Sequence, residues 1–307
     1  MCRACTVLVL CMVALVTACG ERRPPRVAPL PSPSGIVDAA VPSGQEHDAA
    51  LALWRDFPAN RVPRPIVVPH SQATFDGGFE TGEAKEAAGS GRFELAAPLP
   101  TGPATVTAEL PDGPVTLPAI TAEAALEALT AQGGDPDPNA RDAMPPARIT
   151  GVRLGTADVH TDRGPLALPA WLFTVTGATG PIGWPAVTPD ALWRWDRDAA
   201  IALRQESQVM EQARMSADGA LLTVVLLRPR IPCSDMPTYR HDPRVTETGS
   251  AVVVGLERVP VDIDVPPGTP CDGSLAWFGD EHVVRLAEPL GGRVVVDASG
   301  WPLTITG

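Results

Sequence analysis

The second half of the chain is dominated by short runs in which apolar residues recur at every second position. From Arg148 onward this period of two is seen in ARITGVRLGTADVHTD at 147–162 and in EHVVRLAEP at 281–289. Successive side chains of a strand point to opposite faces of a sheet, so the alternation predicts strands with one buried face. The pattern continues in LPAWLFTVTG (168–177), GALLTVVLLRP (219–229), SAVVVGLERVPVDIDV (250–265) and GRVVVDASGWPLTITG (292–307). Gly291-Gly292 in EPLGGRVVVD predicts a hairpin turn between two of these strands.

Helical patterns are concentrated between residues 46 and 134. In EHDAALALWRDFP at 46–58, apolar residues recur at near-helical spacing until Pro58 stops the helix; they are Ala50, Leu53, Trp54 and Phe57. TGEAKEAAGSG at 81–91 predicts a helix capped by Thr81. TAEAALEALTAQGG at 121–134 predicts the clearest helix, with Thr121 as its cap and Leu126 and Leu129 facing inward.

Three further segments complete the local predictions. PRPIVV at 63–68 and GRFELA at 91–96 predict strands between the helices. DAAIALRQESQVMEQARM at 198–215 predicts a helix between strands, although its apolar residues do not line one face. The fold class predicted from the whole pattern is α+β, mostly antiparallel β-sheet with a few short helices in the N-terminal half.

Composition shifts along the chain predict five segments. Residues 1–18 read as a signal peptide, and the proline-rich residues 19–46 as a disordered tether. Residues 47–134 form a small α+β domain, and the polar, proline-rich run 135–147 forms a linker. Residues 148–307 form a β-rich domain.

The predicted signal peptide, residues 1–18, ends just before a cysteine, Cys19. Arg3 precedes an uncharged run, Thr6–Ala18, whose helix would rise about 20 Å against a hydrocarbon core about 30 Å thick. That length favours a cleaved signal over a permanent membrane span. The residues before the cut grade from bulky to small in LVTAC at 15–19, which resembles the lipobox of bacterial lipoproteins.

The lipobox resemblance implies that Cys19 carries a diacylglyceryl group and becomes the first residue of the mature chain. Two or more acyl chains anchor a protein stably, whereas one does so only marginally. The alternative is an ordinary secretory signal with a cysteine at the cut by chance. We therefore expect attachment to the cell membrane, on its extracytoplasmic face.

Two cysteines remain in the folded part of the chain. Cys2, Cys5 and Cys11 leave with the signal, and Cys19 takes lipid, so Cys233 and Cys271 are left. In an oxidising compartment this pair favours a disulfide, worth about 4 kcal/mol for a loop of this length in the chain-entropy model. Free thiols are the alternative. A zinc site is less favoured because no CxxC or paired-histidine spacing accompanies the two cysteines.

Charge and motifs exclude several classes of function. The formal net charge of −12 disfavours nucleic acid as a partner. The sequence contains neither a G-x-S-x-G elbow nor a GxxxxGK[ST] loop, so no catalytic residue and no cofactor is indicated. The acidic clusters lack calcium-loop spacing, and no metal site is predicted. His160 and Asp162 could share one face of a strand as a base and its orienting partner, but two residues do not define a site.

Tryptophan is the unusual component of the composition, with seven residues against one tyrosine. Trp193 and Trp195 in LWRW lie two apart, so in an extended strand both would face the same way, with Trp184 nearby. They could form a flat platform for sugar rings. The alternative is that they fill a core, which is the better interpretation for Trp171, Trp277 and Trp301 because their neighbours are apolar.

Several stretches resemble a family of uncharacterised actinobacterial lipoproteins. The resembling residues are LWRDFPANRVPRPIVV (53–68), GFETGEAKEAAGSGRFELAAPLP (78–100), VRLGTADVHTDRGPLALPAWLFTVTG (152–177), ETGSAVVV (247–254) and VVRLAEPLGGRVVVDASGWPL (283–303), with Cys233 and Cys271. The resemblance covers much of the mature chain and implies a secreted β-rich region, but it brings no activity. Residues 179–215, which contain the WRW stretch, have no counterpart in it.

The sequence therefore predicts a lipid-anchored, extracytoplasmic protein that is not an enzyme. We expect a binding or accessory lipoprotein of the cell envelope, held at the membrane through Cys19, whose partner is an envelope protein or a glycan. The alternatives are a cell-wall-directed hydrolase, a glycan-binding module and a purely structural spacer.

Overall fold

The computed structural model describes residues 34–38, 45–133, 145–203, 209–229, 239–260 and 277–306. The predicted signal peptide, Cys19, Cys233 and Cys271 lie outside the described residues, as does most of the predicted tether. The anchor and the disulfide therefore stay predictions.

The described elements follow one another from β1 to β15, with four α-helices among them. In chain order they are β1 (Ser34–Asp38), α1 (Gln45–Leu53), β2 (Thr74–Phe75), α2 (Gly82–Gly89), β3 (Phe93–Leu95), β4 (Thr105–Leu110), β5 (Gly113–Pro118), α3 (Ala122–Ala131), β6 (Ala147–Thr161), β7 (Gly164–Val175), β8 (Ile182–Pro185), α4 (Arg197–Leu203), β9 (Val209–Met215), β10 (Leu221–Pro229), β11 (Tyr239–Glu247), β12 (Ala251–Pro260), β13 (Trp277–Arg285), β14 (Val294–Asp297) and β15 (Thr304–Thr306). The described part of the chain is β-rich and its strand pairs are mostly antiparallel, which confirms the coarse fold prediction.

The first sheet has the strand order β2-β8-β7-β6-β3, and helices α2 and α3 cover one of its faces. Both helices begin where the sequence predicts, because the hydroxyls of Thr81 and Thr121 accept hydrogen bonds from backbone N–H groups of the first turn. Trp171 and Phe173 of β7 are buried against the alanines of the helices, as their apolar neighbours indicate. The β4–β5 hairpin packs over the distal part of β6 and β7 in a separate apolar cluster.

The second half of the chain, together with β1, forms two sheets that pack face to face. One has the order β1-β13-β10-β9-β15 and the other β11-β12-β14. Val252 and Val254 of β12 face the larger sheet, whereas Ala251 and Val253 face helix α1 on the other side. The three-stranded sheet is thus buried on both faces, which explains why its parallel strands β12 and β14 carry unbroken valine runs.

The Gly291-Gly292 hairpin prediction is wrong. The glycines do form a turn, and Gly291 has φ of 56°. The strands on its two sides, however, lie in different sheets: β13 pairs with β10, and β14 pairs in parallel with β12. The turn therefore connects strands of two different sheets. Which sheet each strand joins depends on distant pairing partners and not on the turn residues.

The predicted helix at 198–215 is only half correct. Helix α4 ends at Leu203, and Val209–Met215 forms strand β9, which pairs with β10 and β15. Long-range pairing overrides the local helical propensity of this segment. The predicted strand at 63–68 is buried from residue 64 onward but makes one described bridge, between Ile66 and Leu192. Pro63 and Pro65 have no N–H to donate to a ladder.

The two predicted domains share a sheet in the described residues. Strand β3 pairs in parallel with β6, and the described residues from Ser34 to Thr306 belong to one compact unit. Ser34–Asp38, assigned from sequence to the tether, forms β1 beside β13. The division of the chain into domains 47–134 and 148–307, with a linker at 135–147, stays a prediction.

Candidate ligand-binding groove

A groove of about 550 Å³ lies beside helix α3, at the segment that connects β8 to α4. We call it the tryptophan groove, after the residues that dominate its lining: Trp184, Trp193, Arg194, Trp195, Arg197 and Gln132. Its volume falls within the range of about 300–1,000 Å³ that is typical of small-molecule sites. Ala124 and Ala128, one turn apart on α3, also line it and leave room because their side chains are small.

The segment that carries the two adjacent tryptophans is extended and tied to residues 66–68. The Trp193 N–H donates to the carbonyl of Ile66 at 2.8 Å, and the Ile66 N–H donates to the carbonyl of Ala191 at 3.2 Å. Trp193 and Trp195 both pack against the apolar cluster beneath helix α1.

Trp193 and Trp195 both pack in the core and line the groove, so they show features of both roles that the sequence allows. Trp195 stacks on Trp54 at 5.9 Å between ring centroids and meets Trp301 edge-on at 4.8 Å, while Trp193 meets Phe57 edge-on at 5.3 Å. The Nε1 group of Trp195 donates to the carbonyl of Val68 at 3.3 Å. Both rings are half-buried, so they pack on the core and also line the groove. The structure brings them into one groove with Trp184, as their spacing suggests, but Trp54 covers one face of Trp195.

Arg197 lines the groove and is held by contacts within the chain. Its Nη2 group donates to the carbonyls of Pro69 and His70 at 2.9 and 2.7 Å. Its guanidinium carbon lies 5.7 Å from the Trp195 ring centroid and 5.2 Å from that of Trp301, within the range of cation–π contacts. The charge is thus placed by backbone and aromatic groups.

Among the described residues, the lining of the groove contains two arginines and no carboxylate. Asp190, Asp196 and Asp198 lie on the same stretch of chain, but all three are exposed and none lines the groove. The Asp196 carboxylate accepts a hydrogen bond from the Ala199 N–H at the start of α4. In a chain of net charge −12, this lining therefore favours a neutral or anionic ligand.

The two arginines and Gln132 were not predicted from sequence. For the arginines a signal is present, because WRWDR at 193–197 places a basic residue beside each tryptophan. Gln132 could not be found from sequence, because α3 reaches the groove only through tertiary packing.

A second groove, of about 750 Å³, lies between α1, residues 57–61 and residues 248–250. Asp48, Arg55 and Arg61 line it, all exposed. Phe57 is the single aromatic residue in the described lining of this second groove, and the charged residues there are of both signs. The second groove therefore indicates a particular class of ligand less clearly than the tryptophan groove does.

The structure separates His160 from Asp162. His160 is exposed on β6, whereas Asp162 lies in the turn after β6 and is 3% exposed. The Asp162 carboxylate accepts hydrogen bonds from Arg64 Nη1 at 3.2 Å and from Arg64 Nη2 at 2.5 Å. Burial raises the pKa of Asp162, and the Arg64 guanidinium opposes that shift. The carboxylate is occupied by a structural arginine, so it does not orient His160.

Two other histidines are buried in structural positions. His47 Nδ1 lies 2.8 Å from Thr246 Oγ1, and burial lowers the pKa of His47 to about 4, with repulsion from Arg244 adding to the effect. Burial also lowers the pKa of His282 on β13. Neither lines the tryptophan groove.

Two features are absent from the described part of the chain: a cluster of metal ligands and a helix that could span a membrane. There, no group of three or more His, Cys, Asp and Glu side chains is close enough together to hold a metal ion. None of the described helices combines the length and apolar character needed to cross a bilayer. Comparison with protein-family models, with curated proteins and with solved structures found no match for this chain.

Proposed function

We propose that this chain is a lipid-anchored binding protein of the cell envelope that holds a saccharide in the tryptophan groove and does not catalyse a reaction. The observation that carries the proposal is the lining of the groove, where three tryptophans and two arginines meet small alanines and an amide. Aromatic rings pack against the apolar faces of sugar rings, and guanidinium and amide groups hydrogen-bond their oxygens.

The buried titratable groups support binding over catalysis. Asp162 is paired with Arg64, and His47 is paired with Thr246. Neither group reaches the groove, and the described lining of the groove has no carboxylate that could act there as a catalytic acid or base.

The location is part of the proposal. The lipobox-like LVTAC at 15–19 supports lipid attachment at Cys19, which would hold the folded part at the extracytoplasmic face of the membrane. A disulfide between Cys233 and Cys271 fits the same oxidising compartment. We also keep the finer fold assignment, α+β with its short helices in the N-terminal half, and the resemblance to uncharacterised actinobacterial lipoproteins as parts of this proposal.

The groove is tested by titrating the full chain with soluble fragments of bacterial wall glycan and following tryptophan fluorescence. We expect a saturable change in fluorescence. Ala124→Gln fills the groove and should weaken binding at least about tenfold, since a side chain now occupies the ligand volume. Glu127→Gln introduces the same side chain on the exposed face of α3, outside the lining, and should leave binding unchanged. Absence of binding, or equal binding by both variants, would contradict the proposal.

The anchor and the disulfide have separate tests. Mass spectrometry of the mature N-terminus should find acylated Cys19, and Cys19→Ala should release the protein from the membrane fraction. Full-length, uncleaved chain in the cytosol would refute the anchor. Alkylation of two thiols in denatured protein without reductant would refute the disulfide.

A further inference from the structure

We propose that the tryptophan groove selects saccharides that carry a carboxylate, and that Arg197 and Arg194 recognise this group. This inference rests on the proposed function and names the class of its ligand.

Arg197 is a half-buried arginine with no carboxylate partner among the described residues. Four other buried or half-buried arginines form ion pairs: Arg64 with Asp162, Arg163 with Asp112, Arg244 with Glu257 and Arg293 with Glu247. Arg92, which is also half-buried, forms none among the described residues. Arg197 instead uses only Nη2, on two backbone carbonyls, and rests against two indole rings. Its positive charge is therefore fixed in place without being neutralised by the described residues.

The donors of Arg197 that remain are Nε and Nη1, which make no hydrogen bond within the described residues. A guanidinium whose position is already fixed loses little conformational entropy when a ligand binds it. Planar guanidinium and carboxylate groups match each other in geometry, and the resulting hydrogen bonds are charge-assisted. This preorganisation favours a planar anion at the end of the groove.

Arg194 adds a second positive charge to the lining. Its side chain is exposed, and the described residues give it neither an ion pair nor a hydrogen bond. Besides His70, the rest of the lining consists of indole rings, small and branched aliphatic side chains, a proline and two glutamines. An anion without an apolar ring would leave the aromatic wall unused, so we assign the ligand as a sugar ring bearing the acid.

The test compares two matched oligosaccharides on the full chain by isothermal titration. One is a tetrasaccharide of alternating N-acetylglucosamine and glucuronic acid, and the other is the same molecule with its carboxylates reduced to alcohols. We expect the acidic form to bind at least about tenfold more tightly, as one charge-assisted contact implies. The difference should shrink as salt is raised.

The variants locate the effect. Arg197→Gln should weaken binding of the acidic form about tenfold and leave the reduced form unchanged. Arg194→Gln should act in the same direction. It keeps the test valid if Arg197→Gln perturbs folding, because the exposed Arg194 side chain forms no hydrogen bond or ion pair with the described residues. Arg148→Gln, an exposed site on β6, changes the net charge equally and should leave both affinities within about twofold.

Equal affinity for the two oligosaccharides, or an Arg148→Gln effect as large as that of Arg194→Gln, would overturn the carboxylate assignment while leaving saccharide binding intact. Binding of neither oligosaccharide also overturns the assignment, and the wall-fragment titration then decides the proposed function separately.

Discussion

Arg64 and Asp162, 98 residues apart in the chain, form a two-pronged ion pair in which each side chain is only 4% exposed. Arg64 Nε also donates to the carbonyl of Gly292 at 2.5 Å, and its guanidinium lies 4.7 Å from the ring centroid of Phe57. The backbone of Asp162 joins Val67 and Ile305 through hydrogen bonds of 3.0 and 2.8 Å. One arginine thus ties the segment after α1 to the β6–β7 turn and to the C-terminal strands.

Asp162→Ala should destabilise the fold by about 3–5 kcal/mol, because it leaves the Arg64 charge buried and unpaired. Urea unfolding of the purified chain measures the loss. The control is Asp112→Ala, which breaks the neighbouring, more exposed Arg163–Asp112 pair and should cost less than about 1 kcal/mol. Equal losses in the two variants would show that the buried pair is not an anchor.

His47 should make the fold less stable as the pH falls. Burial holds the folded-state pKa of His47 at about 4, below the unfolded value of about 6.5, so the unfolded chain binds the proton more readily. The stability contributed by neutral His47 is complete above about pH 6.5 and declines toward pH 4, by at most about 3 kcal/mol. His282, whose pKa burial also lowers, acts in the same direction.

The measurement for His47 is the urea midpoint between pH 7 and pH 4.5. His47→Gln should be less stable at pH 7, because the buried bond to Thr246 changes, but its midpoint should fall less with acid than that of the native chain. His160→Gln, at an exposed position on β6, should follow the native profile. If the urea midpoints of the native chain and of His47→Gln fell equally with pH, the lowered pKa of His47 would be contradicted.

Gly292 is required by close packing and not by a hairpin. A Cβ atom at this position would lie 1.9 Å from the carbonyl oxygen of Ala59, so the backbone has to move if a side chain is added. Gly292→Ala should cost about 1–3 kcal/mol or more, as overpacking does. Gly249→Ala, at an exposed glycine with nothing within 4 Å of the added Cβ, should be nearly neutral. Thermal unfolding distinguishes the two, and similar melting temperatures would refute the close approach.

The indole N–H groups of Trp54 and Trp193 differ in their hydrogen bonding, so we expect replacement by phenylalanine to lower the free energy of unfolding by different amounts. Trp54 Nε1 donates to the carbonyl of Gly300 at 2.8 Å in the core, whereas Trp193 Nε1 is buried without a partner in the described residues. Trp54→Phe loses a buried hydrogen bond and leaves Gly300 O unsatisfied, while Trp193→Phe removes a donor that is already unpaired. We expect Trp54→Phe to cost at least about 1 kcal/mol more in unfolding experiments. The reverse order would contradict this contact pattern.

Local patterns in the sequence determined the class of most elements. Alternating apolar residues predicted the long strands β6 and β7, and the hydroxyls of Thr81 and Thr121 predicted where α2 and α3 begin, because these signals act within a few residues. The spacing of Trp193 and Trp195 likewise indicated that both rings point to one side. For the site, sequence therefore identified the aromatic part.

The tertiary structure alone decided which elements meet. Gly291-Gly292 joins two sheets, and Val209–Met215 became a strand, because their pairing partners lie elsewhere in the chain. Arg64 pairs with a carboxylate 98 residues away, that of Asp162. Arg197 donates to backbone carbonyls 127 and 128 residues away, those of His70 and Pro69. A contact between distant residues leaves no local period in the sequence. The Arg64–Asp162 ion pair and the arginines of the tryptophan groove could therefore be identified only from the tertiary structure.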